Sequence, residues 1–443
     1  MIRALILPLI LLGHCFAQDN ASRMNEIVDS FTASKSFMGS VLVARDGKTL
    51  LNKGYGYANL EWNMPNSPTT RFRLASLTKQ FTAASILLLQ ERGKLNVEDP
   101  IRKYLPDAPP AWDKITIYNL LTHTSGIPSY TFFPDQASLE TQPITSMQLV
   151  ARFWNKPLDF QPGERFFYSN SGYAVLGYLI ERLTGQSYGD FVAQNIFKPL
   201  GMTRSSYGSS SAVLSERASG YISGPGGPLN AKFTDLSMSY AAGGLYSTTE
   251  DLLLWEQALF SGKLLSPASL QAMTKPFKEG YAFGLVINRE AGHKIIEHNG
   301  SVEGFNNQMT YYPEDKVVVI VLGNLTSPAI DEFAPKLAAV ARNEKVILIS
   351  ERKEITLSPE ALTTFTGTYH LASSNRDLIV SLEAGQLQLE AKGVYKRAMF
   401  PESQTSFFLK AVDAQVDFYK DDAGHITRLV IHQDGHNTEG LRQ

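Results

Sequence analysis

In RLASLTKQFTAAS, residues 73 to 85, Ser76 and Lys79 stand three apart and an apolar run follows. On a helix, residues i and i+3 share a face, so the lysine nitrogen comes within hydrogen-bond reach of the serine hydroxyl. A serine hydroxyl is a poor nucleophile at neutral pH and needs a nearby base. Lysine is that base only where burial or neighbouring positive charge lowers its pKa. A helix start also offers backbone N–H groups to developing negative charge. The competing reading is an N-cap serine followed by an exposed lysine. S-x-x-K occurs again at Ser350-Glu-Arg-Lys353, in a charged connector with no apolar helix behind it. The pattern alone therefore leaves both readings of Ser76 open.

A serine–lysine hydrolase needs a second polar group to move the proton and donors to orient the substrate. Tyr168-Ser-Asn170 offers a phenol and a carboxamide two apart, just before a helical pattern at 171. In extended chain, i and i+2 point the same way. The phenol can relay or accept a proton, and the amide can bond a substrate carbonyl. Tyr57-Ala-Asn59 repeats the pattern on an early hairpin strand, where sheet packing and a turn account for it. The third element is His298-Asn299-Gly300, the only H-x-G in the chain. It falls near a strand end, where Gly300 would let a substrate backbone approach closely. The Ser301 N–H could pair with that of Ser76 as an oxyanion hole. A surface histidine on a hairpin is the plainer reading of His298. Lys278-Glu-Gly280 is a rival with a true lysine, but it precedes a strand.

S-x-x-K, Y-x-N and [KH]-x-G in this order resemble the penicillin-recognising serine hydrolases. The nearest branch is that of class C β-lactamases, D-alanyl-D-alanine carboxypeptidases, D-aminopeptidases and related esterases. The flanking text agrees: LLTHTSGIP at 120–128, PGERFFYSNSGYAVLG at 162–177 and AAGGLYSTTEDLLLW at 241–255. The resemblance runs from about 25 to 345. It implies that Ser76 is acylated and that Lys79 is its base or holds the true base deprotonated. Tyr168 would pass the proton between nucleophile and leaving group and serve deacylation by water. Asn170 would bind the acyl amide, and His298 and Gly300 would line the strand against which substrate lies. The N–H groups of Ser76 and Ser301 would hold the oxyanion. His123 in Thr122-His123-Thr124-Ser125-Gly126 would be structural rather than a base. Class C β-lactamases usually carry lysine in the third motif; histidine, largely neutral at pH 7, resembles several peptidases of the family instead.

These residues need elements to hold them. Residues 39–60 read as a β-hairpin turning at Asp46-Gly47. Helical spacing appears at 22–35, 77–92, roughly 115–121, 145–154, 171–184 and 187–196, and again after the capping signature Ser247-Thr-Thr-Glu250. YAFGLVI, HKIIEHNG, NNQMTYYP and KVVVIVLGN read as antiparallel strands, and 328–343 as a closing helix. The expected fold is α/β: an antiparallel sheet sandwiched by helices, with a mainly helical subdomain, over residues 18–350. After the connector NEKVILISERKEIT, six or so short strands over 355–443 predict a small all-β barrel or sandwich. Such appended domains also occur on peptidases of the family the chain resembles.

The N-terminal MIRALILPLILLGHCFA, residues 1–17, reads as a secretory signal, with Arg3 before an apolar run and Ala17 at the cleavage point. Its removal takes Cys15, the only cysteine, and so excludes a disulfide framework, a thiol nucleophile and a cysteine-ligated metal. A formal net charge of -2 gives no reason to expect nucleic acid or an anionic membrane as partner. No glycine-rich phosphate loop or metal-ligand spacing appears, so neither cofactor nor metal is expected, and no transmembrane helix after signal cleavage. The expectation is an exported serine hydrolase, periplasmic or secreted. It would act through an acyl-enzyme on peptide amides or related esters, with D-residue cell-wall peptides as the expected substrates. A β-lactamase or a small-ester esterase would use the same residues, and a slow-acylating penicillin-binding sensor is the non-enzyme alternative.

Overall fold

The unbroken apolar run VVVIVLG decides how the first unit is layered. The computed structural model describes residues 9–410, 412–433 and 436–443. A six-stranded sheet has the spatial order β3-β4-β5-β6-β1-β2. Its strands are β1 (Gly39–Arg45), β2 (Lys48–Tyr55), β3 (Val286–Glu290), β4 (His293–Val302), β5 (Phe305–Tyr312) and β6 (Val317–Gly323). β1 lies antiparallel between β2 and β6, with Leu42 opposite Ile320. Every residue of β6 is buried. Successive side chains point to opposite faces, so both faces must be covered.

On one face Leu42, Ala44, Val318, Ile320 and Leu322 join a large core with Phe81 and Trp255. Val41, Val43, Val319 and Val321 alternate to the other face. The helices α1 (Leu9–Ala33) and α5 (Ala329–Ala341) pack together, and α5 lies on β6 and β1. Phe333 of α5 meets the rings of Phe31 and Phe37 at 5.3 and 4.9 Å.

The helical subdomain is built around α2 (Thr78–Glu91), whose residues from Thr78 to Leu89 are all buried. Its polar residues find partners inside: Gln80 accepts from the Trp255 indole at 3.0 Å, and Thr82 donates to the Ala241 carbonyl at 2.7 Å. A helix buried on all sides sits at the centre of its layer. The helices α3 (Asn170–Thr184) and α4 (Thr249–Phe260) contribute to the same core.

Several sequence expectations need correction. The early hairpin ends at Tyr55, and Tyr57–Asn59 pairs separately with Met64–Pro65. Residues 281–285 are not strand; β3 starts at Val286. The N-cap of α4 is Thr248, whose side chain accepts from the Asp251 N–H, rather than Ser247. The helical pattern at 22–35 belongs to α1, which begins at Leu9. The signal-sequence reading falls on residues 1–8, outside the described residues, and on the start of that helix.

The chain divides into two compact units, Met1–Arg289 with His293–Asn343, and Glu290–Gly292 with Glu344–Gln443. The second unit is a closed barrel of eight consecutive strands, β7 (Gly367–Leu371) to β14 (His436–Arg442). It therefore resolves the choice between barrel and sandwich. Closure leaves no open sheet edge. The inward residues of alternating strands form a separate core with Phe365, Phe407 and Phe418. Two of its strands, Tyr395–Pro401 and β14, were not anticipated from the sequence.

Candidate active site

Ser76 sits in a 3₁₀ turn, Ala75–Leu77, that leads directly into α2. The residue before it, Ala75, has φ 48°, a left-handed conformation that costs a non-glycine residue. His123 (φ 56°), whose ring packs on that of Tyr168, shares this feature.

Lys79 is fully buried, which removes the N-cap-plus-exposed-lysine reading. Its Nζ lies 3.0 Å from Ser76 Oγ, 2.8 Å from Asn170 Oδ1 and 2.8 Å from the Ala242 carbonyl. Burial holds its pKa well below the ordinary lysine range. In the deprotonated form that the base role requires, the amine has two hydrogens and one lone pair. The two carbonyl oxygens can only accept, so they take the hydrogens and the lone pair is left for the Ser76 hydroxyl. The Tyr168 and Tyr173 rings lie 4.8 and 5.5 Å from Nζ.

The Tyr168 phenol lies beside Lys79 and interacts with the Ser76 side chain, and burial pushes it above its usual pKa. It therefore stays protonated at neutral pH and suits a relay rather than a standing phenolate. Asn170 opens α3, and its Nδ2 donates to Thr131 at 3.3 Å.

His298 is buried on β4. Its Nδ1 pairs with the Asn299 carbonyl at 2.6 Å, so that nitrogen carries the hydrogen. Nε2 then accepts from the Tyr281 hydroxyl at 3.0 Å. Burial first, then the Lys79 charge, lowers its pKa to about 4. His298 is thus not a surface histidine, and it is neutral for a stronger reason than its ordinary pKa supplies.

Gly300 differs from expectation. A Cβ there would lie 2.3 Å from the Leu74 carbonyl oxygen and 3.1 Å from the Ser76 nitrogen. The backbone that approaches it is the protein's own nucleophile turn. Ser301 lines an open cleft together with Ser76, Asn170, Tyr130, Thr131 and Ala242. Of the rival residues, Lys278 donates to the Glu164 carbonyl, and Ser350 and Lys353 are exposed residues of the second unit. Asn59 is bonded to Ser219 and Trp62.

Sequence reasoning gave His123 a structural place but missed what it supports, and missed Tyr281. His123 is buried, its Nδ1 accepts from the Ser169 N–H at 3.1 Å, and its ring lies 4.2 Å from that of Tyr168 and 4.5 Å from that of Tyr281. Burial keeps it uncharged, with Lys79 and His298 acting in the same direction. It positions the Tyr168 segment and makes no hydrogen bond to Ser76 among the described residues. Tyr281 holds His298. The signal available was a histidine in the apolar LLTHTSGIP and a tyrosine in YAFG, but periodicity does not connect residues so far apart.

A serine hydrogen-bonded to a buried lysine, with a tyrosine ring beside that lysine, on this α/β fold defines a serine hydrolase working by acyl transfer. Comparison with known proteins agrees: residues 24–343 match the Beta-lactamase family, and residues 351–442 match a domain of unknown function, DUF3471. The chain belongs to the Beta-lactamase family. It is 29% identical to Penicillin-binding protein 4* of Bacillus subtilis (strain 168), over 96% of this chain and 99% of that one. Two solved structures are similar. The octameric penicillin-binding protein homologue from Pyrococcus abyssi aligns with a TM-score of 0.66 and 26% identity, over 94% of this chain and 99% of that one. The D-amino acid amidase from Ochrobactrum anthropi SV3 aligns with 0.64 and 26%, over 73% and 96%.

Proposed function

We propose that the protein is exported and hydrolyses peptide amides or related esters through an acyl-enzyme on Ser76, with D-residue cell-wall peptides as its substrate class. The observation that carries this is the buried Lys79 amine, shared between Ser76, Asn170 and the Ala242 carbonyl.

Lys79 Nζ accepts the Ser76 proton as Oγ attacks the substrate carbonyl. The N–H groups of Ser76 and Ser301 stabilise the oxyanion. Tyr168, beside Lys79 and Ser76, delivers a proton to the leaving nitrogen or oxygen and later takes one from the deacylating water. Asn170 Nδ2 orients the acyl amide, and Gly300 seats β4 against the nucleophile turn.

The neutral, doubly bonded His298 supplies no fixed positive charge for the carboxylate of a β-lactam. This favours peptidase or amidase activity over β-lactamase activity, and the likeness to the D-amino acid amidase points the same way. The test is kcat/KM measured side by side on a D-amino acid amide, a D-alanyl peptide, a nitrophenyl ester and nitrocefin. The expected order places a D-residue amide or peptide above nitrocefin. Nitrocefin as the fastest substrate would establish the β-lactamase reading instead.

A further inference from the structure

Beside the catalytic cleft lies a second cavity of about 270 Å³, lined by Arg73, Arg217, Lys232, Tyr246, Glu303 and Phe305 among others. It shares Thr234 and Glu303 with the cleft that holds Ser76. Arg73 lies three residues before the nucleophile, in a two-residue strand where it pairs with Tyr246. Its side chain is buried, with 7% of the residue exposed. Nη1 donates to Thr234 at 2.9 Å, while Nε and Nη2 are buried without a hydrogen-bond partner. Those two nitrogens form the edge of a guanidinium that takes a carboxylate side-on.

Asp235 and Tyr246 attract this group, but no carboxylate forms an ion pair with it among the described residues. Neither Arg73 nor Arg217 forms an ion pair among the described residues. Arg217 lies beside Tyr246, and its charge acts against that of Arg73. Asp235 attracts Arg73 electrostatically but accepts its hydrogen bonds from the Ser237 N–H and hydroxyl, so the Nε and Nη2 edge stays without a partner. Glu303 is exposed. Burying an unpaired cation costs several kcal/mol unless a counter-charge is supplied. Three cations, one of them buried, face a single exposed carboxylate in this lining.

We propose that this cavity is an anion site that takes a carboxylate group, held side-on by Arg73 and from the solvent side by Arg217. The carboxylate comes from a substrate seated in the adjoining cleft or from a free small acid. The first source rests on the hydrolase reading; the site itself does not.

The test titrates succinate into the full chain at constant ionic strength, for wild type, Ser76→Ala, Arg217→Gln and Arg73→Met. Succinate is expected to bind wild type and Ser76→Ala alike, with Kd raised about tenfold or more in Arg217→Gln. Arg217 is exposed, so this variant stands even where Arg73→Met fails to fold. A kinetic arm compares nitroanilides of D-glutamate and D-glutamine. A wild-type preference for D-glutamate that Arg217→Gln loses assigns the carboxylate to substrate. Succinate binding without that preference assigns it to a free acid. No binding by wild type, or an unchanged Kd in folded Arg217→Gln, overturns the proposal. Succinate binding in a protein inactive on every amide and ester would sink the hydrolase reading and leave the anion site standing.

Discussion

His298 shows how far burial moves a single residue from its ordinary behaviour. The sequence reading held it largely neutral at pH 7 because an unperturbed imidazole titrates near there. In the structure both ring nitrogens are engaged and its pKa falls to about 4. The sign follows from linkage. A histidine whose folded pKa is depressed binds fewer protons folded than unfolded between about 4 and 6.5, so stability is lost as pH falls through that window. At roughly 1.4 kcal/mol per unit, the loss from His298 is about 3 kcal/mol. Urea unfolding of wild type and His298→Gln at neutral pH and near pH 4 measures it: wild type should lose more. Equal losses would mean that His298 is already solvated in the native state. Lys79 follows the same logic. Its spacing from Ser76 was legible in the sequence, but its burial was not, because the groups that enclose it come from residues 168–173 and 242. The Ala242 partner is a backbone carbonyl and leaves no side-chain signature.

At the scale of elements, the nucleophile turn depends on the strand beside it. Gly300 of β4 touches Leu74 and Ser76 where any Cβ would clash with backbone. Gly300→Ala should therefore destabilise the protein by about 1–3 kcal/mol and slow Ser76 acylation by moving the turn. Gly226→Ala is the control, since nothing lies within 4 Å of a Cβ there. Equal melting temperatures for the two variants would contradict the contact. Helices were read well from sequence because α2 and α3 keep helical spacing and end at punctuating residues. Strands with two buried faces, such as β6, were read from their apolar runs. The barrel strand YKRAMFP escaped because only Met399 and Pro401 are fully buried in it. YAFGL escaped in the opposite sense: all five residues are buried, but as bends around Gly284 (φ 68°), where a Cβ would meet the Lys79 carbonyl.

Across the whole molecule, each unit has its own core, and the functional network lies within the first. Lys79 reaches 91 residues along the chain to Asn170 and 163 to Ala242. Order of motifs was visible in the sequence, but convergence at one point required the fold. The central claim is that Ser76 is the nucleophile and the buried Lys79 amine its base. A fluorescent phosphonate tests it without assuming a substrate: Oγ forms a bond to phosphorus and the leaving group departs. Intact-mass spectrometry with peptide mapping should find one adduct, on the peptide bearing Ser76. The adduct should be absent in Ser76→Ala and should form about 10²–10⁴ times more slowly in Lys79→Met. Labelling of Ser76→Ala at the wild-type rate, or an adduct on another residue, would contradict the account.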